Sequence, residues 1–180
     1  LDYLGRLWRH DEAGVFVEHR ATDICIQAMH NLRQLVELPR SSLTALGAAP
    51  PGDPYVLPSL LAATALAAEG WSTINLGADT PFDALVRAAD HYQPQLIWLS
   101  ISAIRDSAEI EAGVQHVAEF AAAHGARVVM GGRVAGEVAT PFGSNVLRGT
   151  SLADLVAVAQ DHVMRTPAAV IATNACESPT

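Results

Sequence analysis

From Ser41 onward, short apolar runs alternate with longer Ala- and Leu-rich segments. The short runs cover residues 43–48, 73–76, 95–100, 127–130 and 145–147, and their centres carry no charge. Runs of that length, bounded by Gly, Pro and Asp, read as strands buried on both faces. The segments between them, 55–69, a stretch ending at His91, 105–124 and 151–164, read as helices. Gly125 supplies a stop for the third of these helices. Five strand–helix repeats predict an α/β fold: a five-stranded parallel, Rossmann-like (flavodoxin-like) sheet covered on both faces.

The first forty residues follow another period. Ala21, Ile24, Cys25, Ala28, Leu32 and Leu35 recur at three and four residues, which predicts a long helix over 12–38 ended by Pro39. A shorter helical piece is expected at 1–8, with Gly14 in the turn between. Two helices with one apolar stripe need a partner surface. The expected division is a partial helical bundle at 1–39, a Rossmann-like domain at 40–164 and a flexible tail at 165–180. The chain opens on Leu1 with no initiator Met, as expected of a piece of a longer protein.

Composition narrows the function classes. Half of the 180 residues are hydrophobic and 17% are charged, which suits a globular core. A net charge of -8 repels phosphate backbones, so nucleic-acid binding by this chain is not expected. Two cysteines, Cys25 and Cys176, are too few for a disulfide framework or a thiolate metal site. No apolar run reaches bilayer length and no signal peptide is visible, so a cytoplasmic location is expected.

Open parallel sheets bind ligands at the carboxyl ends of their strands, near the switch in strand order. Three candidate groups fall there: Asp53 with Tyr55 and Val56, Ser100 with Ser102, and Gly131 with Gly132. Asp53 reads either as the cap of the next helix, with Pro54 at its first position, or as a carboxylate orienting a metal ligand at position 55. Tyr55 is a poor metal ligand, because a phenol of pKa about 10 must first lose its proton; packing or a hydrogen bond to a ligand is the preferred role. Ser100 and Ser102 occupy alternate positions and are expected to point to one side. Gly131-Gly132 admits close contact with a flat ligand or makes a tight turn. Near the amino end, Trp8 precedes Glu18-His19 by W-x9-E-H spacing, and His10 and Tyr55 are candidate metal ligands. His30, His91, His116, His124 and His162 read as surface residues of helices. No nucleophile elbow, P-loop or H-E-x-x-H is present, so an enzyme is not expected.

Taken together, these residues resemble the cobalamin-binding domains of light-responsive, MerR-type transcriptional repressors. That family carries W-x9-E-H on a helical bundle, then D-x-H-x-x-G, S-x-L and G-G on a Rossmann-like domain. Trp8, Glu18 and His19 match the upper motif, and Asp53, Ser100, Gly131 and Gly132 match the lower one. Tyr55 stands in place of the cobalt-ligating His, Pro58 in place of the motif Gly, and Ser102 in place of the Leu. The resemblance implies a corrinoid ligand, adenosylcobalamin or another cobalamin, under the helical cap. It also implies a homo-oligomer and contact with DNA only through a separate N-terminal domain. The preferred reading is a sensory module of a transcriptional regulator with a non-His lower face. The alternatives are a corrinoid-free module that works by protein contact or binds another tetrapyrrole, and a corrinoid methyl-carrier subunit.

Overall fold

The computed structural model describes residues 12–36, 43–139 and 142–165. The chain divides into two compact units, Leu1–Leu35 and Val36–Thr180. The expected helix at 1–8, Pro39 and the tail beyond Arg165 lie outside the described residues.

The first unit is helix α1 (Glu12–Leu35). It begins before Gly14, which sits inside the helix rather than in a turn; in a first turn the conformational cost of Gly is small. The six-residue apolar stripe is not uniformly covered. Ala21 and Cys25 are half-buried, whereas Ile24, Leu32 and Leu35 are exposed.

The second unit is a parallel α/β sandwich. Its elements are β1 (Thr44–Ala48), α2 (Val56–Ala68), β2 (Ser72–Asn75), α3 (Phe82–Tyr92), β3 (Leu96–Ser100), α4 (Ser107–Ala123), β4 (Arg127–Gly131), a 3-10 turn (Ala135–Glu137), β5 (Val146–Arg148) and α5 (Leu152–Arg165). Each strand and helix end falls within two residues of the expected ones, and the 3-10 turn was not foreseen. The strands lie in the order β2-β1-β3-β4-β5, all parallel, so the chain switches direction of travel between β1 and β3.

Alternate strand residues feed two cores, as a pleated sheet requires. One face sends Leu46, Ile97, Leu99 and Val128 against Leu85 of α3 and Val114 of α4. The other sends Ala45, Trp98 and Val129 against Leu66 of α2 and Leu155 of α5. Each fully buried Leu, Ile or Val contributes about 1.5–3 kcal/mol. Two of the largest buried side chains, Trp71 and Trp98, lie on the α2/α5 face, and Trp98 shapes the site.

Candidate functional site

At the carboxyl end of β1 the chain turns through Pro50–Gly52 into Asp53, which is fully buried. One carboxylate oxygen of Asp53 accepts the Tyr55 amide at 3.0 Å. The other accepts the amides of Ser102 and, at 3.1 Å, Ala103. The Asp53 carbonyl accepts the Asp79 amide at 2.9 Å, and the Asp79 carboxylate accepts the Gly52 amide at 2.7 Å. The expected cap with Pro54 at the first helical position is therefore corrected. Helix α2 starts at Val56 after Tyr55 and has no side-chain cap. Asp53 instead ties three loops together, because buried backbone amides must find acceptors.

Tyr55 sits at this rim, 43% exposed. The Arg133 guanidinium lies 5.6 Å from the centre of its ring and donates to the Ser102 carbonyl at 3.1 Å. Val56, also half exposed, opens α2. Pro58 falls in the first turn of α2, where its missing N–H has no intrahelical partner to lose, and the helix continues through it.

Beside this knot, between α2, α5 and the ends of β3, β4 and β5, lies a cleft of about 570 Å³. That volume is within the usual range for small-molecule sites, roughly 300–1,000 Å³. Pro58, Leu61 and Ala62 of α2 form one wall, and Leu155 of α5 stands in another. Trp98 lines it from β3; its indole lies across β1 where Gly47 has no side chain, so any Cβ at 47 would collide with it. The Trp98 N–H donates to the Ser59 hydroxyl at 3.0 Å, which donates to Asn75 Oδ1 at 2.8 Å. The rim carries Gly131, Gly132, Arg133, Arg148, Thr150 and Ser151. Gly132 has φ +114, and a Cβ there would collide with the Ile101 backbone.

The structure separates the two serines that were expected to act together. Both are 6% exposed. Ser100 lines the cleft, and its hydroxyl makes no hydrogen bond among the described residues. Ser102 serves the knot through its amide and carbonyl and does not line the cleft. Ser100, Gly131 and Gly132 thus come together at the cleft, while Asp53, Tyr55 and Ser102 form the neighbouring knot and Val56 follows it at the start of α2. Trp98, Arg133, Arg148 and the 149–151 loop were not singled out from the sequence. Arg133, next to Gly131-Gly132, and Trp98, two residues before Ser100 on β3, carried readable signals; Arg148 and the 149–151 loop come from a distant segment.

Electrostatics at the cleft are set by a capped helix and two arginines. Asp154 accepts the Thr150 amide at 2.7 Å, the Thr150 hydroxyl at 2.9 Å and the Ser151 amide at 3.0 Å. The Thr150 amide foremost, then its hydroxyl and the Ser151 amide, hold the Asp154 carboxyl below the ordinary carboxylate value. Arg148 donates to the carbonyls of Val138 at 2.6 Å and Gly136 at 3.4 Å.

No group of three or more His, Cys, Asp or Glu stands ready to hold a metal among the described residues. Trp8 and His10 lie outside those residues. On α1, Glu18 accepts the Thr22 hydroxyl at 2.9 Å and lies 3.6 Å from His19, whose side chain is 74% exposed. Of the helix histidines, His30, His91, His116 and His124 are exposed as expected. His162 is not: its ring lies 5.7 Å from that of buried Trp71, and burial lowers its pKa. No described helix is long and apolar enough to cross a membrane.

No family model matches the sequence, and no curated protein matches it. Solved structures do match in fold. The methanol:cobalamin methyltransferase complex of Methanosarcina barkeri aligns at 19% identity and a TM-score of 0.57, over 70% of this chain and 48% of that one. A cobalamin-binding protein of Desulfitobacterium hafniense aligns at 21% identity and 0.53, over 78% and 67%. The monomethylamine corrinoid protein of Methanosarcina barkeri aligns at 18% identity and 0.58, over 75% and 65%. This chain spans about half the length of the first of these. Its five-stranded parallel sheet with flanking helices is the α/β, Rossmann-like fold found in these cobalamin-binding neighbours.

Proposed function

We propose that the chain is a cobalamin-binding module of a regulatory protein, which grips its ligand in the carboxyl-edge cleft and not by a protein bond to cobalt. The observation that carries this reading is the cleft: an apolar slot closed by Trp98 and opened by Gly131-Gly132, with an unpartnered Ser100 hydroxyl inside. A flat, largely apolar group with one or two polar atoms suits such a slot. The aromatic base at the end of a cobalamin's nucleotide tail is such a group. Pro58 stands in the wall without closing it.

The residues fit the tail and not a lower cobalt ligand. A base held in the cleft is unavailable to cobalt, and position 55 offers only a phenol whose ring faces a guanidinium. Adenosylcobalamin, when bound, supplies a light-labile carbon–cobalt bond. On this reading Ser100 and the 131–132 glycines hold the tail, Asp53 keeps the loops in register, and Trp8, Glu18 and His19 belong to the cap above the ring. The W-x9-E-H spacing supports a light-responsive sensor that works as a homo-oligomer in the cytoplasm and reaches DNA through another domain. A second reading, a corrinoid carrier subunit, is favoured by neighbours that include a methyltransferase complex and a corrinoid protein.

The test is gel filtration after incubation with adenosylcobalamin in the dark, followed by an absorbance spectrum before and after green light. Corrin bands that co-elute, shift on illumination and change the elution volume are expected of the sensor. Co-elution with an unchanged size in light would transfer the chain to the carrier reading. Colourless protein would sink cobalamin binding and leave a module that acts by protein contact.

A further inference from the structure

The chain carries a net charge of -8, yet the charged side chains that line its cleft are both arginines, Arg133 and Arg148. Neither has a carboxylate partner among the described residues, whereas Arg20, Arg127 and Arg165 all pair with aspartates. Backbone carbonyls hold both guanidinium groups: Ser102 holds Arg133, and Val138 and Gly136 hold Arg148. A guanidinium has five N–H donors in a rigid fork, so each keeps donors to spare. The start of α5 does not compete for an anion, because Asp154 already takes the amides of Thr150 and Ser151. The cleft is therefore two-sided in chemistry, with an apolar aromatic floor at Trp98 and a fixed cationic rim.

We infer that Arg133 and Arg148 read a phosphate, so that the cleft selects ligands with an aromatic base joined to a phosphodiester. The inference rests on the corrinoid reading above and adds a charge filter to it. Oriented, carbonyl-held guanidinium groups meet phosphate oxygens with little reordering. A cobalamin carries that phosphate in its nucleotide tail; cobinamide has the same ring system and no nucleotide.

The experiment is titration calorimetry on the full chain with three probes: hydroxocobalamin, cobinamide and the isolated tail nucleotide, α-ribazole phosphate. Wild type is compared with Arg133→Gln, Arg148→Gln and Arg133→Lys. Circular dichroism and a melting curve confirm that each variant folds. Each Gln variant should weaken cobalamin and tail-nucleotide binding about tenfold or more and flatten its salt dependence. Arg133→Lys should recover part of the loss, and cobinamide should bind weakly and alike to all. Folded Gln variants that bind cobalamin as wild type does would overturn the phosphate filter while leaving the corrinoid reading intact. Cobinamide binding as tight as cobalamin binding would overturn it too. Arginine-dependent binding of the tail nucleotide with no cobalamin binding would do the reverse, supporting the filter and ending the corrinoid reading. Binding of none of the three would overturn both.

Discussion

The two halves of the sheet's carboxyl edge are built on opposite plans. On the β1–β3 side the polar groups are spent on the protein itself: the Asp53 carboxylate takes three amides, and Asp79 closes the same loop. At the cleft, from the end of β3 across β4 to β5, donors are left over: the Ser100 hydroxyl has no partner among the described residues, and two arginines held by backbone carbonyls keep further N–H groups. The first half holds position 55, where the D-x-H-x-x-G spacing would place a ligand, and here it is a structural knot. The second half holds the cleft. If the proposed function holds, gripping a tail and ligating a metal are separable tasks of one edge.

The largest expected effect breaks the locked half. Asp53→Ala would strip the acceptor from three amides at once, costing about 3–5 kcal/mol, since each unmet buried donor costs about 1–3 kcal/mol. A urea denaturation curve reads it, and a loss under 1 kcal/mol would show the knot to be slack. Gly132→Ala comes next and strikes the boundary between the halves. The residue sits at φ +114 with the Ile101 backbone against it. A side chain there costs about 2 kcal/mol in strain and should narrow the cleft, so both the melting temperature and cobalamin binding should fall.

Tyr55→His combined with Pro58→Gly would move the locked half toward the metal-ligating plan. Cobalamin should bind about tenfold tighter, a change of about 1.4 kcal/mol, with a spectrum altered by nitrogen ligation. An unchanged spectrum would mean that Asp53 and Arg133 have committed the loop beyond recovery. Ser59→Ala tests the open half from behind. It leaves the Trp98 N–H and the Asn75 carbonyl without their shared hydroxyl, at about 1–2 kcal/mol. Ligand binding should weaken with it if Trp98 is the floor of the cleft.

The difference between the halves also explains what the sequence disclosed. The inner strands β1, β3 and β4 were legible because an apolar centre is a local signal, and strands buried on both faces carry no charge to blur it. The placement of the three motifs at the carboxyl edge followed from that. The role of Asp53 was not legible. Asp-Pro before an Ala/Leu-rich segment looks like a helix cap, and the acceptor's real partners lie at Ser102 and Ala103, across the switch point. The pairing of Ser100 with Ser102 failed for a related reason. Ser100 is the last residue of β3, so strand alternation ends before it reaches Ser102. The cleft was hidden because its walls come from α2, β3, β4 and α5, and only folding brings Pro58 and Leu155 together.

The smallest effect concerns acid, and it separates the cleft from the far end of the same helix. His162 lies near the carboxyl end of α5. Burial against Trp71, with help from the charge of Arg127 and then Arg165, lowers its pKa below 6.5, while Asp161 opposes. Above pH 6.5 the ring is neutral whether the chain is folded or not, and its contribution is fully kept. As pH falls below 6.5 the unfolded chain gains a proton that the folded chain refuses, so stability declines until pH passes the folded value. Asp154 and Asp161, both lowered from 3.8 by hydrogen bonds, lose their contributions only below that value, so the histidine's decline begins at higher pH than theirs. His162→Gln should flatten the decline below pH 6.5 in melting curves and leave the acid limb below 3.8 as it was. Ligand affinity should not follow the histidine. Seven residues of helix separate His162 from Leu155 in the cleft wall, about 10 Å at 1.5 Å per residue. A cobalamin affinity that fell together with stability between pH 6.5 and 5 would show that α5 transmits the strain along its length and that the open half is less independent than its construction suggests.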